Sequence, residues 1–152
     1  MKRNELPREI AFREGAGHLG REELIRLYES VGWTAYTGDP DGLITAVNNS
    51  TFVLSAYHND NLIGLARSLS DDNSIHYLQD ILVDPNFQGL GLGKQLMNKV
   101  LERFAHVRTH VLLTDNEARQ AAFYQSHGFE NTKDIVETGL NAFIRRRKSS
   151  SE

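Results

Sequence analysis

The stretch Val83-Asp84-Pro85-Asn86-Phe87-Gln88-Gly89-Leu90-Gly91-Leu92-Gly93-Lys94 lies between a β-type run, Ile75 to Val83, and a helical one, Gly91 to Phe104. Glycine at three alternate positions lets a backbone come close to a ligand, and the amides at a helix start point outward. Those N–H groups and the positive end of the helix suit a phosphate or pyrophosphate. Spacing limits which one. A dinucleotide loop G-x-G-x-x-G counted from Gly89 needs glycine where Lys94 stands, although Asp115 could imitate its acidic ribose binder. A P-loop needs glycine at 88 and a hydroxyl residue at 95, and both positions are glutamine. A turn without any ligand would carry the conformational cost of three glycines for no structural return.

Working outward, Leu92, Leu96, Val100 and Phe104 recur at helical spacing beyond the loop. A strand over Thr109 to Thr114 follows, then a helix capped by Asp115-Asn116 and running through Ala118, Ala121 and Ala122 to Gly128. Upstream, Thr51 to Tyr57 and Leu62 to Leu69 flank the polar turn His58-Asn59-Asp60-Asn61, a hairpin signal. Glu9 to Arg13 reads as a first strand. A helix then carries Leu24, Leu27, Tyr28 and Val31 on one stripe and stops at Gly32. Asp39-Pro40 reads as N-cap and first-turn proline of a short second helix. Phe129 to Arg146 is expected to form one or two closing strands. The order β-α-α-β-β-β-α-β-α-β predicts an α/β fold with a mixed sheet, its β-α-β part supplying a parallel pair. Ligands sit at the carboxyl ends of such strands.

Length and composition agree with one domain. The chain has 152 residues, 39% hydrophobic and 24% charged, so residues 1–147 are expected as a single domain with a loose end from Lys148 to Glu152. No apolar run reaches the roughly 20 residues of a membrane span, and no signal-peptide pattern opens the chain, so a cytoplasmic protein is expected. The net charge is −3, yet residues 1–144 hold 13 basic and 19 acidic side chains, because Arg145, Arg146, Arg147 and Lys148 cluster at the end. A basic tail on an acidic body argues against a nucleic-acid face; the run reads as a solvated terminus or edge strand. Six scattered histidines make no close pair on a helix, so no metal site is expected. Cysteine is absent, which removes disulfides and any thiolate nucleophile.

The loop Gln88-Gly89-Leu90-Gly91-Leu92-Gly93 resembles the Q/R-x-x-G-x-G/A acyl-CoA loop of the GNAT N-acetyltransferase superfamily, with Gln88, Gly91 and Gly93 at the defining positions. Val83-Asp84-Pro85 matches that family's strand end. Asn116-Glu117-Ala118-Arg119-Gln120-Ala121-Ala122-Phe123-Tyr124-Gln125-Ser126-His127-Gly128-Phe129 resembles its second motif, N-x-x-A-x-x-F-Y-x-x-x-G-F. The resemblance implies a mostly antiparallel mixed sheet, splayed at a central parallel pair and flanked by about four helices. It also implies acetyl-CoA as co-substrate of an acyltransferase of EC 2.3.1 type. Loop amides of Gln88, Gly89, Leu90, Gly91, Leu92, Gly93 and Lys94 would hold the pyrophosphate. Backbone of Ile81, Leu82 and Val83 would pair with the pantetheine arm, helped by Asn116 and Phe123.

The chemistry so implied is aminolysis of a thioester, which needs an amine relieved of its proton, donors for an oxyanion and an acid for the departing thiolate. Tyr124 matches the family's tyrosine acid. For the base the candidates are Asp80, an ionisable group inside an apolar strand, then His76, or a water chain. Trp33 and Tyr36, with Tyr77 and Gln79, are expected to line the acceptor pocket; aromatic faces near Asp39 and Asp41 suit a cationic or arylalkyl amine. Without cysteine, direct attack in a ternary complex is the default. A small primary amine is the expected acceptor. A protein or peptide acceptor and a non-catalytic acyl-CoA sensor are the alternatives. No nucleic-acid or membrane partner is expected, and a homodimer is compatible with the family's habits.

Overall fold

The computed structural model describes residues 5–137 and 139–148, which divide into two compact units between Leu113 and Thr114. The first unit contains a five-stranded sheet in the order β1-β2-β3-β4-β5. These strands are β1 (Ala11–Glu14), β2 (Phe52–His58), β3 (Asn61–Ser70), β4 (Ile75–Val83) and β5 (Thr109–Leu112). All neighbours are antiparallel except β4 and β5, which are parallel. Among the described residues this unit also holds α1 (Arg21–Ser30), the single turn α2 (Thr34–Thr37), α3 (Pro40–Asn48), a 3-10 turn at Pro85–Phe87 and α4 (Leu92–Arg103). The turn α2 has no counterpart in the sequence reading.

Each face of the sheet is covered for a reason visible in the residues. Leu24, Leu27 and Tyr28 lie at i, i+3 and i+4 of α1 and are buried with Val53, Leu65 and Leu82 from the strands and Leu43 and Val47 from α3. Asp39 caps α3 by accepting from the Gly42 N–H at 3.1 Å. On the opposite face Leu92, Leu96, Met97 and Val100 bury one stripe of α4. A Cβ on Gly64 would stand 3.2 Å from Leu96 and 3.3 Å from Leu92, so this glycine lets α4 lie close on β3.

One irregularity reverses the sheet's alternation at a chemically important place. Arg67 pairs with Asp80, but the next β3 residue, Ser68, pairs with Leu78, leaving Gln79 as a bulge. Before the bulge, His76 stacks on Phe104 at the end of α4 with ring centroids 4.1 Å apart. After it, Asp80 and Leu82 face α1.

The second unit holds α5 (Ala118–Ser126) and a 3-10 turn at Thr132–Asp134. The strands expected over Phe129 to Arg146 are not there among the described residues. Val136, Leu140, Phe143 and Ile144 give the segment β-propensity, yet they stand 56–94% exposed. A strand forms only against a partner, and none is paired with this segment. Of the loose end expected from Lys148, residues 149–152 lie outside the described residues. Among the described residues no helix is long and apolar enough to cross a membrane.

Candidate active site

Parallel pairing of β4 and β5 ends at Leu78 with Leu112, while β4 continues to Val83. Five residues of β4 therefore have no β5 neighbour. The Asp84 N–H bonds Ile63 O on β3 at 2.8 Å. Backbone groups alternate in direction along a strand, so the polar groups of Ile81 and Val83 point away from β3, to the open edge. Gln88 Nε2 donates to Val83 O at 2.9 Å and ties the loop to that edge. Among the described residues this leaves the N–H of Val83 and both backbone groups of Ile81 available to an extended ligand.

The loop closes into α4 through glycines with positive φ, Gly89 at 77° and Gly91 at 92°. Gly91 is the N-cap in the left-handed region, a conformation strained for other residues. A Cβ at either glycine would meet nothing within 4 Å, so the loop surface is open. The first N–H groups of α4, at Leu92, Gly93 and Lys94, have no intrahelical acceptor. Only the backbone of Leu92 can serve a ligand, because its side chain is buried in the core. These donors converge on a spot where an anion would be stabilised. Pyrophosphate fits the loop as built.

Next to the open edge, on the α1 side, is a buried polar network. Arg67 Nε donates to Asp80 Oδ2 at 2.6 Å, and Tyr28 Oη donates to the same oxygen at 3.0 Å. Tyr36 Oη donates to Oδ1 at 2.9 Å and accepts from Arg67 Nη2 at 2.9 Å and Gln79 Nε2 at 3.3 Å. Arg67 and Asp80 are 5% and 4% exposed, so both charges are out of water and compensated by each other. Burial and the Asp80 charge raise the pKa of Tyr28 well above the ordinary phenol value, and raise those of Tyr36 and Tyr77 too. Burial alone would depress the Arg67 guanidinium, but Asp80 and Tyr36 outweigh it and raise its pKa. Trp33 packs on Tyr28 and Tyr36 with centroids 5.8 and 6.3 Å apart.

Of the expected acceptor residues, Trp33, Tyr36 and Gln79 thus come together around Asp80, and Tyr77 feels the same carboxylate. Asp39 and Asp41 are engaged locally, one as the α3 cap and one paired with Arg21 at 2.7 Å. Arg67 is the partner that sequence reasoning missed, while Tyr28, read as part of the α1 stripe, reaches Asp80 as well. The signal was an arginine inside the apolar run Leu62 to Leu69, matching the lone acid of the next strand.

His76 lies on the other face of the sheet. It is fully buried; its Nε2 meets Ser68 Oγ and its Nδ1 meets His110 Nδ1, both at 2.8 Å. Burial, with His110 adding to it, lowers its pKa to about 4, and burial lowers that of His110. The unfolded chain binds a proton near pH 6.5 that the folded chain refuses until about 4. Stability is therefore complete above pH 6.5 and declines as pH falls through that window, by up to about 3 kcal/mol. Urea midpoints measured from pH 7 to 4 should show this slope, and His76→Gln should reduce it to the part that His110 contributes.

In the second unit Asn116 precedes α5, and Phe123 and Tyr124 lie on it, with ring centroids 5.2 Å apart. Phe129 stands 6.2 Å from Tyr124, and its N–H bonds the Tyr124 carbonyl at 3.1 Å. Elsewhere in the first unit, a groove of about 410 Å³ runs between Phe12, Phe52 and Arg103. It shares no residue with the open β4 edge, and its walls carry no convergent chemistry. Among the described residues no group of His, Asp or Glu could hold a metal ion.

Residues 38–145 match the family described as Acetyltransferase (GNAT) domain. The uncharacterized N-acetyltransferase ycf52 of Pyropia yezoensis is 30% identical over 118 residues, covering 75% of this chain and 67% of that protein. A histone acetyltransferase, TAP1, of Glycine max is 28% identical over 134 residues, covering 80% of this chain and 56% of its own length. The chain thus spans about two thirds of the first relative and just over half of the second. Among solved structures, a GNAT-family acetyltransferase from Streptococcus pneumoniae superposes with a TM-score of 0.75 at 29% identity, over 91% of this chain and 100% of that one. With the loop, the splayed parallel pair and a family match over residues 38–145, the chain belongs to the GNAT N-acetyltransferase family.

Proposed function

We propose that this protein transfers the acetyl group of acetyl-CoA to the primary amine of a small molecule. The observation that carries the proposal is the early end of the β4–β5 pairing at Leu78, beside the glycine loop. Ile81 and Val83 bind the pantetheine arm as an added strand through backbone groups, with Leu82 holding the strand in the core. Loop amides from Gln88 to Lys94 bind the pyrophosphate. The thioester supplies an activated carbonyl carbon; the amine nitrogen bonds to it, the C–S bond breaks, and the sulfur leaves with the bonding pair. Tyr124 protonates that sulfur. With no cysteine in the chain, attack is direct, without an acyl-enzyme.

Asp80 enters through its neighbours rather than as a free carboxylate, because it is 4% exposed and paired with Arg67. His76 faces the opposite side of the sheet. Water at the open edge then takes the amine's proton. Aromatic walls at Trp33 and Tyr36 support a small acceptor. The name of the Glycine max relative supports a second reading, a protein acceptor. Cytoplasmic action and a homodimer complete the proposal, to be read from fractionation and light scattering.

Thiol release from acetyl-CoA tests it, with tyramine, spermidine, kanamycin, free lysine and a histone H3 tail peptide as acceptors. Saturable release with at least one small amine is expected. Release with the peptide alone would assign the protein reading, and acetyl-CoA binding without release from any acceptor would make the chain a sensor.

A further inference from the structure

The polar network does more than neutralise a buried charge; it determines which way Gln79 points. Asp80 has only acceptor oxygens at its Tyr36 contact, and Arg67 has only donors. Tyr36 Oη must therefore give its single proton to Asp80 Oδ1, 2.9 Å away, and accept from Arg67 Nη2 at the same distance. Its remaining lone pair faces Gln79, so the Gln79 atom at 3.3 Å has to be the donating amide nitrogen. The carboxamide is left with its oxygen, Oε1, turned away from Tyr36 as an acceptor. No protein donor among the described residues meets it. An ion pair two bonds away thus sets the orientation of an amide that would otherwise flip freely.

Gln79 also occupies a singular position in the sheet. It is the bulge between Leu78 and Asp80, with no opposite residue on β3. It is equally the first β4 residue beyond the end of the β5 pairing. A half-buried acceptor of fixed direction therefore stands at the point where the parallel strands part.

We infer that Gln79 Oε1 accepts a hydrogen bond from the N–H of the incoming amine, and that Arg67, Asp80 and Tyr36 are positioning residues that hold it ready. This rests on reading the open β4 edge as the acetyl-transfer site. A neutral carbonyl oxygen accepts a hydrogen bond from the N–H of a primary or secondary amine without removing the proton, so Gln79 orients the nucleophile and stays unchanged through the reaction. A site built to bond an N–H discriminates against acceptors lacking one, because the half-buried Gln79 carbonyl would then be covered without a partner.

The test compares wild type, Gln79→Leu, Tyr36→Phe and the double variant, each checked for folding by circular dichroism. Steady-state thiol release is measured with tyramine, spermidine, kanamycin and free lysine. For whichever amine wild type acetylates, Gln79→Leu should raise the amine KM by about 10- to 100-fold and leave the acetyl-CoA KM unchanged. Tyr36→Phe should raise it in the same sense. The double variant should match Gln79→Leu within about twofold, since phenylalanine keeps the aromatic wall and the tyrosine hydroxyl acts on the amine through the glutamine. Additive effects, or equal changes in both KM values, would overturn the inference while leaving acetyl transfer intact. Wild type inert toward every small amine of that panel would overturn the inference together with the reading it rests on. The Gln79 side-chain NH₂ signals in nitrogen-15 NMR give a readout without turnover. They should be shifted and slow to exchange in wild type and ordinary in Tyr36→Phe; ordinary signals in both proteins would refute the fixed orientation.

Discussion

Arg67→Met should lower the unfolding free energy by about 3–5 kcal/mol, the usual penalty for removing one partner of a buried ion pair. The guanidinium is 5% exposed and supplies the shortest of the three bonds that Asp80 accepts, at 2.6 Å. Methionine fills similar volume but leaves a carboxylate, also nearly out of water, with only the Tyr28 and Tyr36 hydroxyls. For a chain of 152 residues that loss corresponds to a melting temperature lower by roughly 10 °C. The double variant Arg67→Met, Asp80→Leu removes both charges and should recover most of the loss, because apolar replacements of buried pairs are often neutral. Differential scanning calorimetry of the three proteins decides it. A single-variant loss below about 1 kcal/mol would mean that the pair is reached by water.

Tyr124→Phe should reduce kcat by about 100-fold or more, the range for loss of a positioned general acid, while acetyl-CoA affinity changes less than threefold. Phenylalanine keeps the ring that packs 5.2 Å from Phe123 and 6.2 Å from Phe129, so α5 should persist. What is lost is one hydroxyl and its proton. Single-turnover thiol release with calorimetric binding in parallel separates the two effects. Unchanged turnover would assign Tyr124 to packing and the thiolate's proton to water.

The elements that declared themselves in the sequence are those whose signals are local. Ile75 to Val83 is the strand as read, and Gly91 and Phe104 bracket α4 as glycine start and aromatic end. Asp39-Pro40 opens α3 by the capping it announced. Pairing and bulges are not local, and there the reading fell short. Nothing in His76-Tyr77-Leu78-Gln79-Asp80 shows that Gln79 is extra to the ladder, so the run reads as one continuous alternation. The bulge breaks that alternation, sending His76 to Phe104 and Asp80 to Tyr28. Arg67 was visible as a letter but not as the partner of Asp80, because register belongs to two strands at once. The closing segment shows the converse: Val136, Leu140, Phe143 and Ile144 carry strand propensity that no described neighbour uses.

Backbone amide shifts recorded by nitrogen-15 NMR during an acetyl-CoA titration test most directly whether the open β4 edge and the glycine loop are one acyl-CoA site. Saturable shifts should concentrate at Ile81, Val83 and the amides from Gln88 to Lys94, and leave Phe12, Lys99 and Arg103 around the separate groove unmoved. Shifts centred on that groove, or none that saturate, would contradict it.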